Sequence, residues 1–267
     1  MELLRNRPIG IFDSGVGGLT VVKNVCKYLP KEDIIYFGDT ARVPYGNKSR
    51  ATVIRFTHEI MTFMMKQKVK MVVVACNTAS SFSLSILKKT YPVPVVGVID
   101  AGVERAIRFS SKGKIGVIGT SSTIFSQAYE KRLAKIAPEY GLISKSCPLF
   151  VPLVENKLIN DDITYRIAKK YLIPLTKKGI DTLILGCTHY PILKNVIKKI
   201  MKDVKLIDSS SAVAKKVKKM LKHMDMETSR RNRKSRIKYY VSDDAKGFCG
   251  IAGVFLREKI KAKKVII

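Results

Sequence analysis

Val72-Val73-Val74-Ala75-Cys76-Asn77-Thr78-Ala79 is an unbroken apolar run, rich in β-branched residues, that ends in a thiol, an amide and a hydroxyl side by side. Such a run reads as a strand buried on both faces, as in a parallel sheet covered by helices on either side. Its polar end then falls just beyond the carboxyl end of the strand, where open α/β sheets place their ligands. A segment of the same form, Leu183-Ile184-Leu185-Gly186-Cys187-Thr188-His189-Tyr190, puts a second strand-end cysteine 111 residues after the first.

Outward from these segments the chain alternates strand and helix. Pro8 to Phe12 reads as a first strand, followed by Asp13-Ser14-Gly15-Val16-Gly17-Gly18 and a helix near Leu19 to Leu29. The glycines allow a ligand to approach backbone N–H groups at that helix, but the segment has neither GxGxxG spacing nor a P-loop ending. Asp13 suits an ammonium group better than a phosphate. Strands are expected at Ile34 to Phe37, Val69 to Ala75 and Pro92 to Val98, with a helix from about Lys48 to Gln67 and Thr78 as cap of the helix after Cys76.

At Lys114 the pattern restarts. Ile115 to Thr123 echoes Ile9 to Ser14; Ile9 to Cys76 is 67 residues and Ile115 to Cys187 is 72, with Val43-Pro44 echoed by Val151-Pro152 in between. An internal duplication accounts for this order and implies two similar α/β units facing each other. A helix from Asp161 to Lys178 stopping at Gly179, a strand at Val204 to Ile207 and a helix at Ala212 to His223 capped by Asp208-Ser209-Ser210-Ser211 complete the second half. After a loop at Asp225 to Ser235, a strand at Ile237 to Val241 and a helix at Ala245 to Glu258 are expected to return to the first unit, ahead of a basic tail. The fold class is therefore α/β: two similar three-layer α/β/α domains with mainly parallel sheets, related by pseudo-twofold symmetry, with the site in the cleft between them. The expected domains are residues 1–98 plus 210–267, and residues 99–209.

Composition is that of a globular protein, with 46% hydrophobic residues and no long apolar run of the kind a membrane span needs. The opening residues lack the form of a signal peptide, so a cytoplasmic location without membrane attachment is expected. Five cysteines at 26, 76, 147, 187 and 249 show no CxxC spacing, and Cys26, Cys147 and Cys249 read as small buried hydrophobes. Fifty basic against 21 acidic residues give a net charge of +29, and 11 Lys or Arg against two acids fall between Ala214 and Lys238. That excess makes nucleic acid a weak electrostatic partner to test, although lysine is spread through nearly every expected helix.

Two facing cysteines are compatible with a disulfide, a metal pair, a nucleophile with a bystander, or two acid–base groups. A disulfide does not suit the cytoplasm, zinc needs more ligands, and a single nucleophile leaves the duplication unexplained. Two acid–base thiols explain it: inversion at a carbon acid needs proton removal on one face and delivery on the other. A thiol, with a usual pKa of about 8.5, reaches the thiolate near neutral pH after a modest shift. Asp13 and His189 are the nearest candidates for holding protons, while Ser14, Asn77, Thr78 and Thr188 offer groups to grip carboxylates.

Phe12 to Thr20, Gly38-Asp39-Thr40 with Pro44-Tyr45-Gly46, Ala75 to Ala79, Val151 to Glu155 and Leu185 to Pro191 together resemble the glutamate racemases of the cofactor-independent aspartate/glutamate racemase superfamily. The tail is more loosely similar, through Tyr239 to Ser242 and Phe248. The resemblance implies interconversion of L- and D-glutamate without cofactor or metal, supplying D-glutamate for peptidoglycan. It implies that Cys76 acts on the D enantiomer with Asp13 assisting, and Cys187 on the L enantiomer with His189 assisting. Asp13, Ser14, Asn77, Thr78, Thr188 and His189 match glutamate-binding positions, with Tyr45 and Gly46 near a substrate carboxylate. Asp39 and Glu155 correspond to acidic residues near the cleft, Thr120 and Thr123 are additional members of the second half-site, and a homodimer is expected. The strong positive charge departs from the usual pattern of these relatives.

Overall fold

The computed structural model describes residues 2–230, 234–256 and 258–267. The first unit runs through helix α1 (Glu2–Arg5), strand β1 (Ile9–Asp13), α2 (Leu19–Tyr28), β2 (Ile34–Gly38), a 3-10 turn at Tyr45–Asn47, α3 (Arg50–Lys66), β3 (Met71–Val74), α4 (Asn77–Thr90) and β4 (Val95–Gly97), and α5 (Val98–Phe109) leads into the second, whose core it joins. The second follows with β5 (Lys114–Gly119), α6 (Ser121–Phe125), α7 (Ala128–Ile136), β6 (Gly141–Ser146), α8 (Phe150–Glu155), α9 (Asp162–Lys177), β7 (Thr182–Gly186), a 3-10 turn at Tyr190–Leu193, α10 (Lys194–Ile200) and β8 (Lys205–Asp208). The tail adds α11 (Ser209–His223), β9 (Ile237–Val241), α12 (Ala245–Leu256) and β10 (Ala262–Lys264).

Two wholly parallel sheets result, in the orders β10-β9-β2-β1-β3-β4 and β6-β5-β7-β8. Strand for strand, β2-β1-β3-β4 and β6-β5-β7-β8 have the same order, so the duplication read from sequence is a duplication of topology. In each unit the chain order reverses beside the first strand, and the crevice at such a switch point is where parallel sheets bind ligands. Cys76 follows β3, Cys187 follows β7, Asp13 ends β1 and Thr120 follows β5.

Alternation along β1 and β3 divides their side chains between two cores. Ile9, Ile11, Met71 and Val73 join the large cluster that extends into the second unit, while Phe12, Val72 and Val74 pack with Val53, Ile60 and Met64 of α3. Each fully buried aliphatic side chain contributes about 1.5–3 kcal/mol, which is why a short strand with both faces apolar is held firmly. On the far side of the second sheet, Ile115, Val117 and Ile184 pack against Tyr129 and Leu133 of α7.

Several local expectations are corrected. The cap of α4 is Cys76, whose sulfur accepts from Ala79 N, because the helix begins two residues earlier than expected, and the Thr78 hydroxyl meets Thr120 and Thr123 at the cleft instead. Val43-Pro44 leads into the 3-10 turn, whereas Val151-Pro152 lies inside α8, so that echo is one of sequence alone. The residues after Glu258 include β10, which pairs with β9 rather than forming only a basic tail. Cys26 and Cys249 are half-buried at the margin of the core; Cys147 is fully buried. Gly179, at φ +72, ends α9 in the left-handed conformation that glycine accommodates. Of the loop expected over Asp225 to Ser235, residues 231–233 lie outside the described residues.

Candidate active site

Both strand-end thiols open onto one narrow cleft between the units. Cys76 and Cys187 are each more than nine-tenths buried. Ser14, Tyr45, Gly46, Asn77, Thr78, Thr120, Thr123, Thr188 and His189, all singled out from sequence, line it with them. Pro44, Val151 and Gly186 also line it, and these the sequence reading missed. Each lay in a segment that carries the family resemblance without being singled out there as a site residue, and Gly186 precedes Cys187 as Ala75 precedes Cys76.

Asp13, Asp39 and Glu155 stand one layer behind the lining. Asp13 Oδ2 accepts from Gly15 N at 3.2 Å and Gly18 N at 3.0 Å, and Thr188 Oγ1 donates to Oδ1 at 3.2 Å. It thus fixes the turn into α2 and reaches the opposite unit through Thr188. Burial raises its carboxyl above the usual range, against the opposing pull of His189, these two amides and the Thr188 hydroxyl. Asp39 accepts from the Tyr45 hydroxyl, from Arg42 Nε at 2.7 Å and from Ser242 Oγ at 2.8 Å, tying the 3-10 turn to the tail. Burial, with Asp39 adjacent, pushes the Tyr45 phenol far up, so it serves as a donor.

The two thiols have different company. Cys76 Sγ takes the Ala79 amide at 3.5 Å and donates to Ser14 Oγ at 3.7 Å. Burial pushes this thiol up to about 12, and the Asp13 carboxylate adds to the rise against the Ala79 N–H and Ser14 hydroxyl. Cys187 Sγ lies 3.9 Å from His189 Nδ1, and His189 Nε2 lies 3.2 Å from Glu155 Oε1 of α8. Burial opposes a charged imidazole there, but the contacts with Cys187 and Glu155 and the field of Asp13 outweigh it and hold His189 up to about 10.

A ring of hydroxyls closes the cleft from the other end. Thr78 Oγ1 lies 3.0 Å from Thr120 Oγ1 and 2.9 Å from Thr123 Oγ1, and these two are 3.0 Å apart. Ser122 Oγ donates to Lys48 O at 3.0 Å beside it. Gly46 touches Thr120 so closely that a methyl group would overlap it, so the 3-10 turn rests directly on α6. Chemically the cleft offers two thiols, a charged imidazole, several hydroxyls and an amide, enough to hold a small zwitterion and exchange protons on two sides. Among the described residues no group of three or more His, Cys, Asp or Glu side chains is arranged to hold a metal ion, and no helix is long and apolar enough to cross a membrane.

Residues 9–217 match the family described as Asp/Glu/Hydantoin racemase. The chain is 48% identical over 257 residues to the glutamate racemase of Geobacter metallireducens, covering 95% of this chain and 94% of that one. Its fold superposes on glutamate racemase RacE1 of Bacillus anthracis with a TM-score of 0.95, at 40% identity and 98% coverage of both chains. The Francisella tularensis glutamate racemase solved with D-glutamate gives a TM-score of 0.92 at 41% identity, again with 98% of both chains covered.

Proposed function

The chain belongs to the Asp/Glu/Hydantoin racemase family, among its glutamate racemases, and on that premise we propose that it interconverts L- and D-glutamate by a two-thiol mechanism, supplying D-glutamate for peptidoglycan. The observation that carries the reading is the pair of thiols presented to one cleft from equivalent positions of two sheets with the same strand order. In the L-to-D direction Cys187, as thiolate, takes the Cα proton. Cys76, as thiol, delivers its proton to the opposite face, leaving Cys187 a thiol and Cys76 a thiolate. The D-to-L direction exchanges these roles. His189, held charged between Cys187 and Glu155, steadies the negative sulfur or lends it a proton. On the Cys76 side Asp13, whose carboxyl is raised by burial and whose charge disfavours a thiolate there, serves instead to hold or return the proton.

Ser14, Asn77, Thr78, Thr188 and the backbone at Gly46 hold the carboxylates in this scheme, with Asp13 and His189 lying close to the substrate and Tyr45 backed by Asp39. Thr120 and Thr123 support the grip through Thr78. Residues 1–98 with 210–267 make one domain of the enzyme and 99–209 the other. A homodimer is part of the same reading, supported by large apolar side chains left in solvent such as Phe125 on α6, 85% exposed; light scattering at assay concentration checks it. Weak contact with polyanions, motivated by Lys215, Lys216, Lys218, Lys219 and Lys222 along α11, is tested by duplex DNA at low ionic strength, and no retention there removes it.

The deciding experiment incubates the purified protein with each glutamate enantiomer in heavy water, without added cofactor, and follows optical rotation and deuterium at Cα. Both enantiomers are expected to invert and to gain solvent deuterium. No inversion in either direction by folded protein with intact thiols overturns the proposal. Cys76→Ser and Cys187→Ser are each expected to abolish turnover in both directions, since either change leaves one face without its acid–base group.

A further inference from the structure

Tyr129 stands in the second unit, 52 residues from Asn77 in sequence, yet its hydroxyl donates to Asn77 Oδ1 at 2.6 Å. The tyrosine is buried, its ring packed in the core beneath the second sheet with Leu133 and Ile184. Gln127, at φ 54, turns the chain between α6 and α7 through the left-handed region immediately before the helix that carries this ring. The residue before Cys187 makes room for it: a methyl on Gly186 would stand 3.2 Å from Tyr129 Cε2 and still closer to Ile118 O. A side-chain amide has an accepting end and a donating end, and a substrate carboxylate is attracted only by the donating one. Asn77 Nδ2 has no protein acceptor among the described residues, while the residue itself lines the cleft.

We propose that Tyr129 is a positioning residue for the racemase reaction: by holding Asn77 Oδ1 from behind, it turns Asn77 Nδ2 toward the substrate carboxylate. The proposal rests on the glutamate racemase reading and adds a residue that touches no substrate. Burial keeps the phenol well above its usual value, so its proton stays available for donation. Without that donor the amide is free to flip, and half of its orientations present an oxygen to an anion. Because the hydroxyl comes from one unit and the amide from the other, the grip is correct only when the two units are together.

The test is a double-mutant cycle of Tyr129→Phe and Asn77→Ala, with KM and kcat measured for both enantiomers and glutamate affinity measured by calorimetry. Tyr129→Phe keeps the ring and its packing and is expected to raise KM and Kd about tenfold for both enantiomers, with kcat changed much less. With an equilibrium constant of one between enantiomers, kcat/KM must fall equally in both directions, which checks the data internally. In the Asn77→Ala background the same change is expected to add nothing further. An unchanged KM in Tyr129→Phe, or effects that multiply in the double variant, overturns the proposal. Absence of turnover in the unaltered protein is instead the failure of the racemase reading, so the two are told apart.

Discussion

His189 is fixed by a different group at each ring nitrogen, with Cys187 on one side and Glu155 on the other. Glu155→Gln removes one of the interactions that keep the ring charged, so the alkaline limb of the pH profile for L-glutamate is expected to move to lower pH, read from kcat/KM between pH 6 and 11. An unmoved limb would remove Glu155 from that role. His189→Asn is expected to lower kcat by about 10²–10⁴-fold, the usual worth of a positioned acid–base group. Stability has its own sign: a folded-state value raised to about 10 means that the charged imidazole stabilises the fold fully below its unfolded value near 6.5. That contribution is lost as pH rises toward 10, so the thermal midpoint is expected to fall across this window and to fall less in His189→Asn. The thiols, Asp13, His189 and the short polar residues were legible in the sequence because each carries a reactive group at a strand end. Pro44 and Val151 were not, since they line the cleft with backbone and apolar surface that has no chemical signature. Tyr129 was hidden by a different cause, being joined to the site only by a contact between distant segments.

At the level of elements, the 3-10 turn Tyr45–Asn47 and helix α6 form the two lips of the cleft, joined through Gly46 and the threonine ring. Gly46→Ala forces these lips apart. Overpacking of this kind costs about 1–3 kcal/mol. Taken from closure on substrate, that is about five- to 150-fold in glutamate affinity, measurable by calorimetry, while the separate sheets remain intact. A variant that binds glutamate as tightly as the unaltered protein would show that the lips do not meet during binding. The central strands were readable because a parallel strand covered on both faces is buried throughout and so nearly all apolar, as β3 is and as β7 is after Thr182. Strand β6, half-exposed along most of its length at the sheet edge, carries Ser144, Lys145 and Ser146 and gives no such run. Strand β10 is Ala262-Lys263-Lys264, an outer edge where charge is tolerated and even protective, so its sequence resembles a solvated tail.

For the molecule as a whole, a buried ion pair joins distant parts of the chain. Lys70 Nζ, with its side chain fully buried, donates to Glu32 Oε2 at 2.5 Å, to Arg5 O at 2.6 Å and to Met226 O at 2.8 Å, while Thr228 N donates to Glu32 Oε1. Lys70→Met strands the Glu32 carboxylate and is expected to lower unfolding free energy by about 3–5 kcal/mol. Lys70→Met combined with Glu32→Leu is expected to recover much of that loss, because no unpaired charge then remains; denaturant melts decide it. The return of the tail to the first sheet was legible from order alone, since the second unit was already complete when Ile237 to Val241 began. The partners of Lys70 were not, because a lysine before an apolar run reads as a surface charge.

The pairing of β9 with β2 also governs how the protein is made. Ile237 lies 199 residues beyond Gly38, so at about 5–20 residues per second the ribosome needs roughly 10–40 s to supply the neighbour of β2. During that interval the second unit can emerge and fold with all four of its strands in hand, while the first waits with a bare parallel edge. The nascent chain is therefore most prone to wrong association in its earliest-made part, and it is the last-made strands that end the hazard.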